Sequence, residues 1–222
     1  DIVPGDHVVM VFVMSCGACP DCNGGKPNLC ASSSEAKANG TLVSGFKRIH
    51  IPGRDLNHAA GISCFAEYAV VSRGSVVKVD ADVPLEDAAL FGCAVITGVG
   101  AVVNTAKVYP GAEMAVVGLG GVGLNAVLGG IVAGASRIIA VDVDDRKLAL
   151  ARELGATDTF NATRPDAIAE IRDLTNGGLE FVFEVAGAIP AWETAYALTR
   201  RGGAVISAGL APAAAQFSFS PY

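Results

Sequence analysis

Beyond Cys93 this chain of 222 residues has neither cysteine nor histidine; all six cysteines (Cys16, Cys19, Cys22, Cys30, Cys64, Cys93) and all three histidines (His7, His50, His58) precede that point. Charge is also scarce, at 17% against about 25% in average soluble domains. No block of lysine or arginine occurs, and Lys+Arg 16 against Asp+Glu 22 leaves a net charge of −6. Nucleic acid and anionic membrane surfaces are therefore not expected partners. No uninterrupted apolar run approaches the ~18 residues of a membrane span, because glycine, Asp or Arg breaks each candidate, including 126–135. The chain opens Asp1-Ile2-Val3-Pro4-Gly5-Asp6, without an initiator Met, a basic leader or an apolar leader. A soluble, cytoplasmic protein is the expectation. What is plentiful is apolar residues, 51%, and glycine, 27 residues, which point to buried sheets joined by tight turns and exclude disorder, collagen and coiled coil.

The rhythm changes where the cysteines end. Earlier, short β-type runs at 8–13 and 68–71 alternate with Gly, Pro and Asn turns, so the first part is expected to be mostly β. Later, apolar runs of strand length (114–118, 137–141, 157–161, 179–184, 204–208) alternate with segments of helical period (121–133, 145–154, 165–174, 191–198). Continuous apolar strands such as Ile138-Ile139-Ala140-Val141 fit a parallel sheet covered on both faces, which makes this part an α/β, doubly wound fold. A helix is expected to start at Pro84, with acids in its first turn. The boundary falls near 81–92, giving domains at 1–90 and 91–222.

Cys16, Cys19, Cys22 and Cys30 form C-x2-C-x2-C-x7-C, four soft ligands within fifteen residues. Zn²⁺ in a structural role prefers four such ligands in a closed tetrahedron. Iron–sulfur loops begin the same way, but their fourth cysteine usually follows after three residues, not seven. Disulfides fit poorly with this spacing and the lack of a secretory mark. A closed four-sulfur site leaves no open position for chemistry.

Val116-Val117-Gly118-Leu119-Gly120-Gly121-Val122-Gly123 contains G-x-G-x-x-G at Gly118, Gly120 and Gly123. Alone the motif is weak; here an apolar run precedes it, a helical run follows, and Asp142 ends the next strand 19 residues past Gly123. Gly118 is expected to make the tight turn, Gly120 to admit a pyrophosphate, Gly123 to let helix and strand close up, and the helix N-terminus to face the phosphates. Asp142 is expected to accept the adenosine ribose hydroxyls and repel a 2′-phosphate, favouring NAD over NADP. Lys147 can reach the same ribose, although an exposed helix lysine needs no function.

A four-cysteine loop ahead of a dinucleotide-binding half resembles the zinc-dependent medium-chain alcohol dehydrogenases. Pro4-Gly5-Asp6-His7-Val8 is similar to that family's PGDHV strand, Phe65-Ala66-Glu67-Tyr68 to its F-x-E-Y turn, and Gly92-Cys93-Ala94-Val95-Ile96-Thr97-Gly98 to its GC-x3-TG segment. The resemblance implies a Rossmann doubly wound sheet preceded by a partial GroES-like catalytic domain with a structural-zinc lobe. It implies hydride transfer between an alcohol or aldehyde and NAD, with Cys93 a ligand of a catalytic zinc and Thr97 against the nicotinamide. It places Val122 and the turn Ala208-Gly209-Leu210 at the same ring, has 183–186 close over it, and has Ala59 and Ala60 line the alcohol pocket. His7 and His58 are expected to be structural and Cys64 to be packing.

The family's other two catalytic-zinc ligands precede its PGDHV strand, and its chains run through a sixth strand past the equivalent of Tyr222. The chain is thus expected to be an internal piece of a longer enzyme, inactive by itself and oligomeric, as dimer or tetramer, in its parent. Two rival readings are a non-catalytic NAD-binding protein with a zinc knob and a zinc-free quinone reductase. Cys93 speaks against the first and the cysteine loop against the second.

Overall fold

A computed structural model describes residues 2–219, and the chain divides into two units, Asp1–Cys93 and Ala94–Tyr222. In the first unit β1 (Val8–Met10) pairs antiparallel with β4 (Val76–Lys78), Val9 opposite Val77. β2 (Ile49–Ile51) and β3 (Arg54–Leu56) form a hairpin whose two-residue turn places Gly53 at φ +76°. Helices α1 (Pro20–Asn23) and α2 (Ala31–Asn39) come between β1 and β2 along the chain, and α2 ends on Gly40 in the left-handed conformation that a side chain resists. Met14, Cys30, Ala36 and Leu42 are buried among these elements.

Strand content here is smaller than the sequence suggests. Residues 68–71 form no strand: Tyr68 and Val70 are exposed, and no described residues pair with them. Alternating apolar residues make a strand only where a neighbouring strand takes up the backbone groups.

Helix α3 (Leu85–Ala88) is capped by Pro84, with Glu86 and Asp87 in its first turn. It begins a helical stretch, Leu85–Ala106, that is long and apolar enough to cross a membrane by length and composition alone. Parts of this stretch are wider π-type turns, at Phe91–Val95 and Ala101–Ala106, with α4 (Ile96–Gly100) between them.

In the second unit, strands and helices alternate: β5 (Glu113–Val117), α5 (Gly121–Val132), β6 (Arg137–Asp142), α6 (Asp145–Glu153), β7 (Asp158–Asn161), α7 (Ala167–Leu174), β8 (Leu179–Glu184), α8 (Ile189–Leu198) and β9 (Thr199–Ser207). The five strands form one parallel sheet in the order β7-β6-β5-β8-β9. Successive residues of a strand point to opposite faces, and both faces are covered. Met114, Val116, Ile138, Ala140 and Phe183 join one buried cluster, whereas Ala115, Val117, Ile139, Val141 and Val182 join the other. That is why these strands read as unbroken apolar runs.

β9 starts at Thr199, five residues earlier than the apolar run at 204 indicates. The pairing with β8 shifts register between Leu179 and Phe181, and Gly202 at φ +76° supplies the irregularity. Arg200 and Arg201 before it disguise the strand as a turn. The chain winds from β5 outward through β6 to β7, then returns to β8 on the other side of β5. The crevice between β5 and β8, above the strands' C-terminal ends, is where such sheets bind ligands.

Candidate metal centre and dinucleotide cradle

The four cysteines of the loop converge. The sulfurs of Cys16, Cys19, Cys22 and Cys30 all lie within 4.8 Å of one another, with Cys16 and Cys22 sulfurs 4.0 Å apart. Zn–S bonds of about 2.3 Å in a tetrahedron set their sulfurs ~3.8 Å apart, so the cage fits that ion. The local fold explains the convergence: Cys19 precedes α1, Cys22 lies within it, and Cys30 opens α2, while Gly17 (φ +73°) and Gly25 (φ +77°) turn the chain between them.

Backbone N–H groups of Ala18 and Cys19 donate to the Cys16 sulfur at 3.5 and 3.3 Å, and the Cys16 N–H donates to the Cys30 sulfur at 3.4 Å. The donors from Ala18 and Cys19 bring the Cys16 thiol down to about 6, whereas burial pushes Cys22 up to about 11. Four sulfurs this close carry full negative charge together only around a cation. None of the six cysteines is paired in a disulfide.

Cys93 stands apart from this cage. It is exposed within the turn Phe91–Val95, and the cysteine cage is the one group of three or more metal-ligating side chains gathered among the described residues. A second metal site is therefore not assembled from these residues. Cys64 is exposed among the described residues, correcting the expectation that it packs, and it lies in a loop whose Phe65 is also fully exposed at 106%. His58 is buried and its Nε2 accepts the Arg48 N–H at 3.0 Å, a structural role, and burial lowers its pKa. Ala59–Gly61 is a short 3₁₀ turn in which Ala60 is left-handed, at φ 51°.

The glycine-rich turn divides its labour by position. Gly118 directly follows β5 at φ +99°, and a Cβ there would meet Ala186 at 2.8 Å. A Cβ on Gly123 would run into the Gly118 carbonyl oxygen, so only glycine lets α5 start this close to the strand. Around Gly120 a Cβ would meet nothing within 4 Å; this gap lies at the N-terminus of α5, where N–H groups without helical partners attract anions. Gly120 and Gly121 are exposed, Val122 is half-buried, and Leu119 is buried.

Asp142 ends β6 with 8% exposure. Its Oδ2 accepts the Leu119 N–H at 2.7 Å and its Oδ1 the Asp144 N–H at 3.0 Å, so it ties the glycine turn to the next loop. The Lys147 ammonium sits 3.7 Å from the same Oδ2. A carboxylate has about four acceptor positions, which leaves some for a ligand hydroxyl. Asp144 caps α6 by accepting the Arg146 N–H at 2.9 Å, and it grips the guanidinium of Arg146, which holds its own carboxyl down to about 2.

Thr97 lies half-buried in α4. Its neighbour Gly98 lets α4 press against α5: a Cβ there would meet Asn125 at 2.7 Å and the Ala126 nitrogen at 2.8 Å. Ala208 and Gly209 follow β9 and donate their N–H groups to the Glu184 carbonyl at 2.9 and 3.2 Å, while Leu210 is exposed. The structure thus brings Gly118 to Gly123, Asp142 and Lys147 together over β5 and β6, with the turn at 208–210 at the end of β9. The sequence reading missed the side-chain bonds of Glu184; an acid ending the apolar run Phe181-Val182-Phe183 was the available signal.

Two family models match: the alcohol dehydrogenase GroES-like domain over residues 1–81 and the zinc-binding dehydrogenase domain over residues 121–222. The chain resembles the crystal structure of an alcohol dehydrogenase zinc-binding domain protein from Burkholderia ambifaria (33% identity, TM-score 0.90, covering 99% of this chain and 60% of that one). It also resembles benzyl alcohol dehydrogenase from Acinetobacter calcoaceticus (34%, TM-score 0.88, 100% and 60%). A zinc-binding dehydrogenase from Sinorhizobium meliloti, solved with NADP, is 27% identical (TM-score 0.76, 100% and 59%). The chain spans about 60% of the length of these relatives. With both family models matched in order along a GroES-like part and a Rossmann-type sheet, the chain belongs to the zinc-dependent medium-chain alcohol dehydrogenase family.

Proposed function

We propose that this chain is the cofactor-binding and zinc-lobe portion of an NAD-dependent alcohol dehydrogenase that moves a hydride between an alcohol or aldehyde and NAD. The observation that carries the reading is the glycine cradle beside Asp142, with open space at Gly120 and an acidic group at the end of β6. NAD supplies the hydride acceptor when bound. The chain's own residues bind and orient it: the α5 N-terminus faces the pyrophosphate, and Asp142 accepts the ribose hydroxyls while its charge opposes a 2′-phosphate. Thr97, Val122 and the turn 208–210 exclude water beside the ring. In the longer parent Cys93 contributes one ligand to a catalytic zinc, whose chemistry is Lewis-acid polarisation of the substrate oxygen. The cage of Cys16, Cys19, Cys22 and Cys30 holds a structural zinc.

The parent is expected to be a soluble, cytoplasmic homo-oligomer, dimer or tetramer, without nucleic-acid or membrane partners. Within the apolar stretch Leu85–Ala106, Gly98 packs against α5, while Leu85, Leu90 and Ile96 are exposed. Calorimetric titration tests the cofactor: NADH should bind at least tenfold more tightly than NADPH, and Asp142→Asn, which keeps an acceptor for Leu119, should shrink that ratio several-fold. NADPH binding as tightly as NADH to the unaltered chain would refute the NAD assignment. Alcohol-dependent NAD⁺ reduction should be absent from this chain and present in its longer parent.

A further inference from the structure

Three asparagines of the chain are followed by glycine: Asn23-Gly24, Asn39-Gly40 and Asn176-Gly177. Asparagine is thermally labile, because the backbone nitrogen of the next residue can attack its side-chain carbonyl carbon. Glycine, without a Cβ, leaves that approach unhindered. All three asparagines are exposed, so neither sequence nor accessibility separates them. Their hydrogen bonds do.

Attack requires the glycine nitrogen to release its proton and the carbonyl that holds it. Gly177 donates to the Arg172 carbonyl at 2.7 Å and Gly24 to the Pro20 carbonyl at 2.8 Å, both well-formed bonds. The Asn23 side chain is tied as well, its Nδ2 donating to the Ala18 carbonyl at 3.1 Å. Gly40 differs: its N–H reaches the Lys37 carbonyl only at 3.3 Å, longer than the usual range of about 2.7–3.2 Å, where α2 ends and the chain turns left-handed. The Asn39 side chain has no hydrogen-bond partner among the described residues.

We propose that Asn39 is a site of spontaneous deamidation, with the Gly40 nitrogen as the nucleophile. A C–N bond forms between that nitrogen and the Asn39 side-chain carbon, the bond to the amide nitrogen breaks, and ammonia leaves with the proton that Gly40 gives up. Water then opens the five-membered imide at either carbonyl carbon, leaving aspartate or isoaspartate at position 39; nothing is oxidised or reduced. Either product puts a negative charge at the negative end of the α2 dipole, one turn from Glu35. Isoaspartate also lengthens the backbone directly before Gly40, whose carbonyl accepts the His58 N–H at 2.9 Å and on which a Cβ would run into Asn57. Deamidation therefore unfastens the end of α2 from His58.

The test ages the purified chain at mildly alkaline pH and follows each Asn-Gly pair by peptide mass spectrometry, with the same chain in denaturant as the clock for unrestrained asparagine. Relative to its own rate in denaturant, Asn39 should convert at least fivefold faster than Asn23 or Asn176. In the converted fraction the His58 N–H should exchange with solvent at least tenfold faster. Asn39→Gln, whose longer side chain cannot close a five-membered ring, should stop conversion at this site and leave His58 protection unchanged. Asn39 converting no faster than the other two, or not at all while the denatured chain reacts, would overturn the proposal. Conversion at Asn39 with unaltered His58 exchange would overturn the link to His58.

Discussion

Gly120 and Gly123 sit three residues apart in one turn, and the space around them separates a binding role from a packing role. Gly120 is extended (φ −75°, ψ −169°) with open space before it, so Gly120→Ala should leave the melting temperature within about a degree while its methyl group obstructs the phosphate approach. Gly123→Ala ordinarily favours a helix by up to about 1 kcal/mol. Here the added carbon meets the Gly118 carbonyl, and overpacking of this kind costs roughly 1–3 kcal/mol. Thermal melts and NADH titrations of the two variants should therefore differ in kind. Gly120→Ala is expected to lose affinity alone, at least tenfold, and Gly123→Ala to lose stability as well. Equal melting temperatures for both would show that the turn relaxes without strain. At this scale the sequence is informative about glycine spacing and marks Glu184 only as an acid that ends an apolar run; its donors, on residues 186, 187 and 207, are too scattered along the chain to be read there.

Among the elements, the cysteine cage owes its order to sulfur more than to apolar contact. None of the residues of α1 is buried, and α2 buries only Ser33 and Ala36. Four turns this exposed hold together poorly without a central ion, and structural zinc contributes directly to folding. The purified chain should carry one zinc. Removing it with a chelator, or replacing Cys22 with serine, should abolish hydrogen-exchange protection between residues 16 and 42, leaving NADH affinity within twofold. Acid should release the metal, because protons compete for each thiolate. Retained protection after complete metal removal would contradict the reading. The cage is legible in the sequence because four ligands lie close along the chain. The βα elements are legible because both sheet faces are buried, and the first unit is the less legible part because its three-residue strands depend on distant partners.

For the whole molecule, division into Asp1–Cys93 and Ala94–Tyr222 implies that melting need not be a single all-or-none event. Two transitions are expected in calorimetry. NADH at a hundred times its dissociation constant adds about 2.7 kcal/mol to whatever binds it, so it should raise the transition of the second unit alone, just as chelation should lower that of the first. A single transition raised by NADH and lowered by chelation would show the two units to be one cooperative body.

The strand order has a consequence in time. Met114 on β5 pairs with Phe181 on β8, 67 residues later in the chain. At about 5–20 residues per second, synthesis leaves one edge of β5 without that neighbour for roughly 3–13 s. During those seconds Val116 and Val117, fully covered in the finished sheet, stand open to other nascent chains. The sheet's central seam is among its last to close on the ribosome, so the middle of the finished sheet is an open edge while β6 and β7 on its other side have already been made.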